Sequence, residues 1–185
     1  MRFRTSLVLA VLLSACRDQR VIQPTLSLPR PGMAIPAFDL PLHTGGRFSS
    51  AALGGRPAVL FLWSTHCPTS RRALADYREL RQRYGSEATF LLLSDDATAS
   101  ELRLLPVVIA DSGVTGPVLL ARGSLGRLFD HSATAPERDT ARVQFVLPAY
   151  LLVDSTGTVA ARSWGPDATT VRQALARLVA PRPAA

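Results

Sequence analysis

The sequence has few of the residues that hold small disulfide-bonded or zinc-binding domains together. It contains two cysteines and three histidines in 185 residues, too few for a disulfide scaffold or a structural zinc site. Its longest apolar run, residues 7–13, is much shorter than the roughly 20 residues that a transmembrane helix needs. With 12 glycines and 14 prolines, the chain is also not collagen-like or disordered in composition. The composition is that of one globular domain.

Lysine and asparagine are both absent, and all 21 basic residues are arginine. This bias is typical of a source genome's composition rather than of a selected surface. The arginines are spread along the chain, with no block of five or six like charges. The net charge of +7 therefore does not predict a nucleic-acid-binding patch, and we expect no nucleic-acid partner.

Residues 1–16 have the pattern of an export signal. Two arginines precede the apolar run and small residues follow it, which is typical of a secretory signal peptide. The Leu-Ser-Ala-Cys stretch ending at Cys16 resembles the bacterial lipobox, in which the cysteine becomes the lipidated first residue. Plain cleavage before Cys16 and an N-terminal core helix are the alternatives. We predict a signal peptide at 1–15, then a lipidated N-terminus and proline-rich tether at 16–35, whose later part is alternatively an ordered strap on the domain.

This export prediction changes the cysteine count. With Cys16 lipidated, Cys67 is the one thiol of the folded part, in a compartment where thiols are usually oxidised into pairs. A lone cysteine there is either buried and inert, or reactive and used. The predicted location is extracytoplasmic, as a membrane-anchored lipoprotein on the periplasmic face of a bacterial envelope.

Between the tether and a short tail at 181–185, residues 36–180 alternate between strand and helix patterns. The continuous apolar run at 58–63 predicts a fully buried central strand. Apolar residues at helical spacing then predict a helix at 67–84. The other predicted elements are hairpins at 38–49 and 150–162, strands at 89–93 and 118–121, helices at 97–105, 125–129 and 167–179, an ambiguous stretch at 104–111 containing Pro106, and an inserted loop at 132–142. This order predicts an α/β fold with a mixed central β-sheet flanked by helices.

Cys67 stands where the predicted central strand gives way to a helix. A helix N-terminus offers unpaired N–H groups and a partial positive charge, which stabilise a thiolate and lower its pKa below about 8.5. Pro68 suits the first helical turn, where its missing N–H would be unpaired anyway. Arg71 and Arg72 add positive charge, and a protonated His66 would also favour the thiolate. The alternative is a buried, inert cysteine.

Residues 61–71, FLWSTHCPTSR, resemble the F-W-x-x-W-C-P-P-C-R segment of TlpA/ResA-type thioredoxin-like proteins. Three further segments match that family in the same order: an N-terminal hairpin at 38–57, a Gly-Pro stretch at 116–120, and the segment 148–157. The resemblance covers most of residues 33–180. It implies a thioredoxin fold with an N-terminal β-hairpin extension, and the activity of exported, membrane-tethered thiol–disulfide oxidoreductases.

The resemblance also implies roles for individual residues. Cys67 corresponds to the attacking cysteine, and Pro148 to a cis-proline that packs against the active-site sulfurs. Ser70 replaces the second cysteine, so a mixed disulfide on Cys67 cannot be resolved within this chain. The Ser70 hydroxyl can still donate a hydrogen bond to the thiolate. His66 replaces a tryptophan of the family.

The same segment resembles the peroxiredoxin pattern P-x-x-x-[T/S]-x-x-C-P-T, with Ser64 and Thr69 at matching positions. In that family the serine or threonine and an arginine hold the peroxide, and the cysteine becomes a sulfenic acid. One cysteine suffices if an external thiol recycles it. However, Leu60 stands at the position of the motif's proline, and Pro148 at that of its arginine.

We therefore predict a monothiol thiol–disulfide oxidoreductase-like protein. Cys67 is the predicted nucleophile, Ser70 and the helix N-terminus stabilise its thiolate, and Pro148 shapes the substrate groove. A one-cysteine peroxidase and a non-catalytic thioredoxin-like module that binds protein segments remain the alternatives. The expected partners are a thiol- or disulfide-bearing protein or a small thiol reductant, together with the membrane. No metal or organic cofactor is predicted.

Two further features stay open at this point. Tyr150, two residues after Pro148, is either a groove residue or simply part of a strand. The pair Asp95 and Asp96 follows a predicted strand, where metal-binding carboxylates occur, but without a third nearby ligand it fits a solvated loop better.

Overall fold

A computed structural model of the chain describes residues 28–129 and 146–180. The predicted signal peptide, Cys16, the first part of the tether, the loop at 132–142 and the tail at 181–185 lie outside the described residues. None of the helices in the described part is long and apolar enough to cross a bilayer.

The strands and helices follow the predicted order. They are β1 (Asp39–Pro41), β2 (Arg47–Ser49), a short 3₁₀ turn (Ser50–Leu53), β3 (Ala58–Trp63), α1 (Pro68–Tyr84), β4 (Thr89–Ser94), α2 (Ala99–Ser112), β5 (Val118–Leu120), α3 (Leu125–Phe129), β6 (Ala149–Val153), β7 (Val159–Trp164) and α4 (Thr169–Val179). The predicted α/β class and both hairpins are confirmed.

Five strands form one mixed sheet in the order β5-β4-β3-β6-β7. β3 pairs in parallel with β4 and antiparallel with β6. The sheet extends through the parallel pair β4–β5 on one side and the antiparallel pair β6–β7 on the other. β1 and β2 form a separate antiparallel hairpin.

All six side chains of β3 are buried, because both faces of the sheet are covered. Successive strand side chains point to opposite faces. Val59, Phe61 and Trp63 pack with residues of α1, α2 and α4. Leu60 and Leu62 pack on the opposite face with the hairpin and α3. The predicted central strand is therefore confirmed.

Helix α1 presents Leu74, Tyr77, Leu80 and Tyr84 to the core, at the spacing that the sequence predicted. It ends at Gly85. A Cβ atom at this position would lie 2.6 Å from the carbonyl oxygen of Arg81, so the close approach of the backbone requires glycine.

Helix α2 resolves the stretch that the sequence left ambiguous. It is one helix through Pro106, which lies on the exposed side. Water can hydrate a carbonyl that the missing proline N–H leaves unpaired there. The N-terminus of α2 has a capping box, in which Thr98 and Glu101 each accept a backbone N–H.

Residues 28–35 form an ordered strap rather than a free tether. Leu28 is fully buried, in the same cluster as Leu60. Backbone hydrogen bonds join Gly32 to the carbonyl of Val159 at 2.9 Å, and the N–H of Val159 to Met33 at 2.8 Å. These contacts fit the ordered-strap alternative for the later part of the tether, which the sequence left open because a Pro-rich stretch has no periodicity that reveals docking.

The strap generates a stability prediction. We expect Leu28→Ala to lower the free energy of unfolding by about 2–5 kcal/mol, the usual cost of emptying a buried leucine site. Leu104→Ala is the matched control, since Leu104 lies on the exposed side of α2 and its loss should cost about 0.5 kcal/mol or less. Urea denaturation measures both. Equal values for the two variants would mean that the strap does not contribute to the fold.

Candidate active site

The candidate site lies at one edge of the central sheet, where three chain segments meet. β3 and β4 are parallel, so the turns that follow them lie side by side. β6 is antiparallel to β3, so the segment preceding β6 reaches the same edge. These three segments carry Cys67, Asp96 and Pro148, respectively.

Cys67 caps the N-terminus of α1 with its sulfur. The Sγ atom accepts the backbone N–H of Ser70 at 3.4 Å, in the position where a serine or aspartate oxygen usually serves as N-cap. The thiol also lies 3.7 Å from the carbonyl oxygen of Leu147, to which it donates. Cys67 is half-buried, so its sulfur is both positioned and reachable. Pro68 is exposed and is the first residue of the helix.

The pKa of the Cys67 thiol lies below its usual value. Burial raises the pKa, but hydrogen bonds from the Ser70 hydroxyl and from the backbone N–H groups of Ser70 and Thr69, together with the charge of Arg72, lower it by more. The Ser70 hydroxyl is fully buried and has no partner other than the sulfur among the described residues, so its proton is available to Cys67. The site therefore favours a thiolate.

Pro148 is buried directly before β6, and the Leu147–Pro148 peptide bond is cis. The carbonyl of Leu147 is the one in contact with Cys67. The carbonyl of Pro148 accepts the N–H of Gly165 at 2.8 Å, which attaches this turn to the end of β7. The turn thus sits against the sulfur, at the place that the family resemblance implies.

His66 and Arg71 are exposed and are not among the main groups that shift the pKa of Cys67. The nearby cation that does lower it is Arg72, whose guanidinium donates to the Thr69 hydroxyl at 3.2 Å. His66 instead faces the carboxylates of Glu101 and Asp96. Arg72 and Thr69 therefore lie near enough to the sulfur to lower the pKa of Cys67, whereas His66 points towards Glu101 and Asp96.

Ser64 and Tyr150 both lie beneath the site rather than at its surface. Ser64 is fully buried, and its carbonyl accepts the N–H of Cys67 at 3.4 Å. Tyr150 is a fully buried strand residue whose ring centroid lies 4.6 Å from that of Phe61. Its hydroxyl donates to the carbonyl of Ala73 at 3.1 Å. It supports α1 from the core.

Asp96 was not identified as important from the sequence, and the interpretation of a solvated loop is wrong for it. Its side chain is fully buried. The carboxylate accepts the backbone N–H and the hydroxyl of Thr65, each at 2.9 Å, and the hydroxyl of Ser94 at 2.6 Å. Asp96 therefore holds the turn that precedes Cys67. The signal that could have found it is that polar residues follow two neighbouring parallel strands.

Comparison with known proteins identifies the family and the fold. Residues 30–178 match the Redoxin family model. The chain belongs to the Redoxin family. No curated protein sequence matches this redoxin. The resemblance to thioredoxin-like thiol–disulfide oxidoreductases is thus confirmed at the level of family and fold.

Solved structures similar to this redoxin include both oxidoreductases and a peroxidoxin. They include a thiol:disulfide interchange protein of the thioredoxin family from Chlorobium tepidum, with 21% identity and a TM-score of 0.62 over 83% of this chain and 99% of that one. Peroxidoxin BcpB from Mycobacterium tuberculosis has 20% identity and a TM-score of 0.64 over 84% and 99%. A secreted disulfide oxidoreductase from M. tuberculosis, homologous to E. coli DsbE, has 19% identity and a TM-score of 0.56 over 77% and 94%. At these identities the similarity establishes the thioredoxin fold alone.

The surroundings of Cys67 generate a prediction about its titration. The rate of alkylation by iodoacetamide should rise with pH with a midpoint below the value of about 8.5 for a free thiol. Ser70→Ala and Arg72→Gln should each move the midpoint to higher pH, because each removes a group that stabilises the thiolate. Arg71→Gln is the matched control and should leave it in place. A midpoint at or above that of a free thiol would contradict the assignment of a reactive cysteine.

Proposed function

We propose that this redoxin is an extracytoplasmic, membrane-anchored monothiol thiol–disulfide oxidoreductase that acts through Cys67. One observation carries the proposal. The half-exposed Cys67 sulfur caps α1, and the buried Ser70 hydroxyl lies one helical turn further, where a dithiol enzyme has its second sulfur. The arrangement retains the helix N-terminus and the hydroxyl that stabilise the attacking thiolate. It lacks the second thiol that would resolve the mixed disulfide.

The proposed reaction follows from thiol–disulfide exchange. The Cys67 thiolate attacks one sulfur of a substrate disulfide, forms a mixed disulfide with it, and releases the other sulfur as a thiolate that takes a proton from water. A second thiolate, from a small thiol or a partner protein, then attacks the mixed disulfide. That step forms a disulfide between the incoming thiol and the bound substrate sulfur and regenerates the Cys67 thiolate. Ser70 contributes no electrons, and its role is to stabilise Cys67 before attack.

The turn containing Leu147 and Pro148 limits how a substrate can approach. The Leu147 carbonyl lies against the Cys67 sulfur, while Val146, just before it, is 56% exposed. The side of the Cys67 sulfur that faces Leu147 is therefore closed to a substrate disulfide. Pro148 has no N–H, so at this residue the turn offers the substrate no backbone donor.

The geometry favours disulfide chemistry over peroxide reduction. A peroxide needs donors that hold both of its oxygens near the sulfur. Neither Arg71 nor Arg72 donates a hydrogen bond to Cys67 among the described residues, and Ser64, the residue matched to the peroxiredoxin motif, is fully buried. Steady consumption of hydrogen peroxide with an added thiol would instead support the peroxidase alternative.

Membrane anchoring is supported by the signal pattern and Cys16 in the sequence. The strap begins at Leu28, twelve residues after Cys16, so a lipid on Cys16 would keep the start of the domain within about 40 Å of the bilayer surface. At that distance the natural substrates are exported or membrane proteins, or small thiols of the same compartment.

The missing second thiol gives the sharpest test. Ser70→Cys should form an intramolecular disulfide with Cys67 under mild oxidation, because positions i and i+3 share a helix face and the Ser70 N–H already contacts the Cys67 sulfur. The variant should also gain dithiol-dependent reduction of insulin, which the parent performs poorly because it stalls at the mixed disulfide. Mass spectrometry and insulin turbidity measure the two effects.

Thr69→Cys is the matched control for that experiment. It adds a thiol to the same turn, but Cys67 and position 69 are two residues apart, and side chains at i and i+2 do not face each other on a helix. Neither the disulfide nor the activity should therefore appear. If Ser70→Cys forms the bond without gaining activity, the site geometry stands and the oxidoreductase proposal fails in favour of the peroxidase or the binding module.

The anchor is tested separately. The parent protein should partition into detergent and carry lipid on Cys16, whereas Cys16→Ala should remain unprocessed or become water-extractable, because acyl chains contribute about 0.8 kcal/mol for each buried CH₂ group. Phase partitioning and intact-mass measurement follow both forms. A processed parent without attached lipid would show that the protein is exported but not anchored.

A further inference from the structure

Three potential metal ligands converge at the candidate active site, next to the turn that carries Cys67. The Nδ1 atom of His66 lies 3.2 Å from the Oε1 atom of Glu101 and 3.7 Å from the Oδ1 atom of Asp96. All three ligand atoms lie within 4.8 Å of one another. The sulfur of Cys67 is not part of this group. The sequence predicted no metal site, because it could not show that Glu101 is the third ligand near His66 and Asp96.

The spacing is close to what a small divalent cation requires. Zinc–nitrogen and zinc–oxygen bonds of about 2.0–2.2 Å place tetrahedral ligand atoms about 3.3–3.5 Å apart. Two of the three separations are within a few tenths of an ångström of this range. The side chain of His66 is 62% exposed, so the fourth position is open to water.

Both carboxylates are held in place by groups outside the set of three. Asp96 accepts the backbone N–H and the hydroxyl of Thr65 through Oδ1 and the hydroxyl of Ser94 through Oδ2, which fixes the orientation of its carboxylate beside His66. The Oε2 atom of Glu101 accepts the backbone N–H groups of Ala97 and Thr98 at 2.9 and 2.8 Å, leaving Oε1 free. Such supporting hydrogen bonds orient the ligands in metal sites.

The charge of the cluster points independently to a cation. Asp96 is fully buried, and buried carboxylates are normally paired with a cation or bound to a metal. Among the described residues no arginine lies within ion-pairing distance of Asp96 or Glu101, and His66 is the one basic side chain that does. A neutral His66 would leave both carboxylates without a counter-charge, and in its Nε2-protonated tautomer the Nδ1 lone pair would face them.

We propose that His66, Asp96 and Glu101 form a binding site for a divalent transition-metal ion, with Zn²⁺ as the best match. One imidazole nitrogen, two carboxylate oxygens and an open position resemble the ligand sets of accessible zinc sites. The nitrogen ligand and the small number of ligands disfavour Ca²⁺ and Mg²⁺, which take six or more oxygens. This site does not depend on the redox activity proposed for Cys67.

The test measures Zn²⁺ binding by calorimetry on the mature chain in detergent, with Cys67→Ser as background so that the thiol cannot bind metal. We expect one Zn²⁺ per chain. His66→Gln and Glu101→Gln should each weaken the affinity by at least about tenfold. The matched control is His43→Gln with His131→Gln, which removes the other two histidines of the chain and should have no effect. Glu101→Gln keeps an oxygen for the capping box, and circular dichroism verifies the fold.

Co²⁺ provides a second measurement that reports the ligands directly. The parent should give the visible absorption of a low-coordinate cobalt site without a sulfur charge-transfer band, and His66→Gln should abolish it. The proposal is overturned if Zn²⁺ binds no more tightly than about 1 mM, in the range of weak non-specific contacts. It is also overturned if either ligand variant binds as tightly as the parent, since the cluster would then be an ion pair between His66 and the carboxylates.

Discussion

The burial of β3 on both faces is the constraint on which the rest of this structure depends. Burying a large apolar side chain contributes about 1.5–3 kcal/mol, so the five large side chains of β3 together contribute on the order of 10 kcal/mol. That is comparable to the whole net stability of a typical domain. The strand must therefore be covered on one face by α1, α2 and α4 and on the other by the hairpin, α3 and the strap. Its end is consequently rigid, and Cys67 follows four residues later.

This rigidity explains how a single sulfur can be held without a second cysteine. The turn from β3 to α1 is held by the buried carboxylate of Asp96 through Thr65, while the sulfur is held by the first turn of α1 through Ser70. On the third side the turn at Leu147 closes against the thiol. Each contact comes from a different segment of the sheet edge. The geometry of the site is thus a property of the sheet, and replacing the second cysteine by serine leaves it intact.

The serine at position 70 has two consequences for the chemistry of Cys67. It keeps a polar group beside the sulfur, so the thiolate remains stabilised although burial opposes ionisation. It removes the means of resolving a mixed disulfide within the chain. In the proposed reaction, this combination would let an adduct form readily and be released only to a second thiol. The identity and concentration of that thiol would then control turnover.

The sequence by itself determined the order of strands and helices, the central place of residues 58–63, the start of α1 directly after Cys67 and the family. These features depend on local periodicity and on motifs read along the chain. It did not determine the docking of residues 28–35 or the continuation of α2 through Pro106, because both depend on which surface is available to cover or expose a segment. It also did not identify Asp96, which adjoins the turn at Thr65 only because two strands 31 residues apart in register lie side by side. The candidate nucleophile Cys67 could be predicted because it directly precedes a helix pattern in the sequence. Its neighbours could not be predicted, because only the tertiary structure decides which segments meet at the same edge of the sheet.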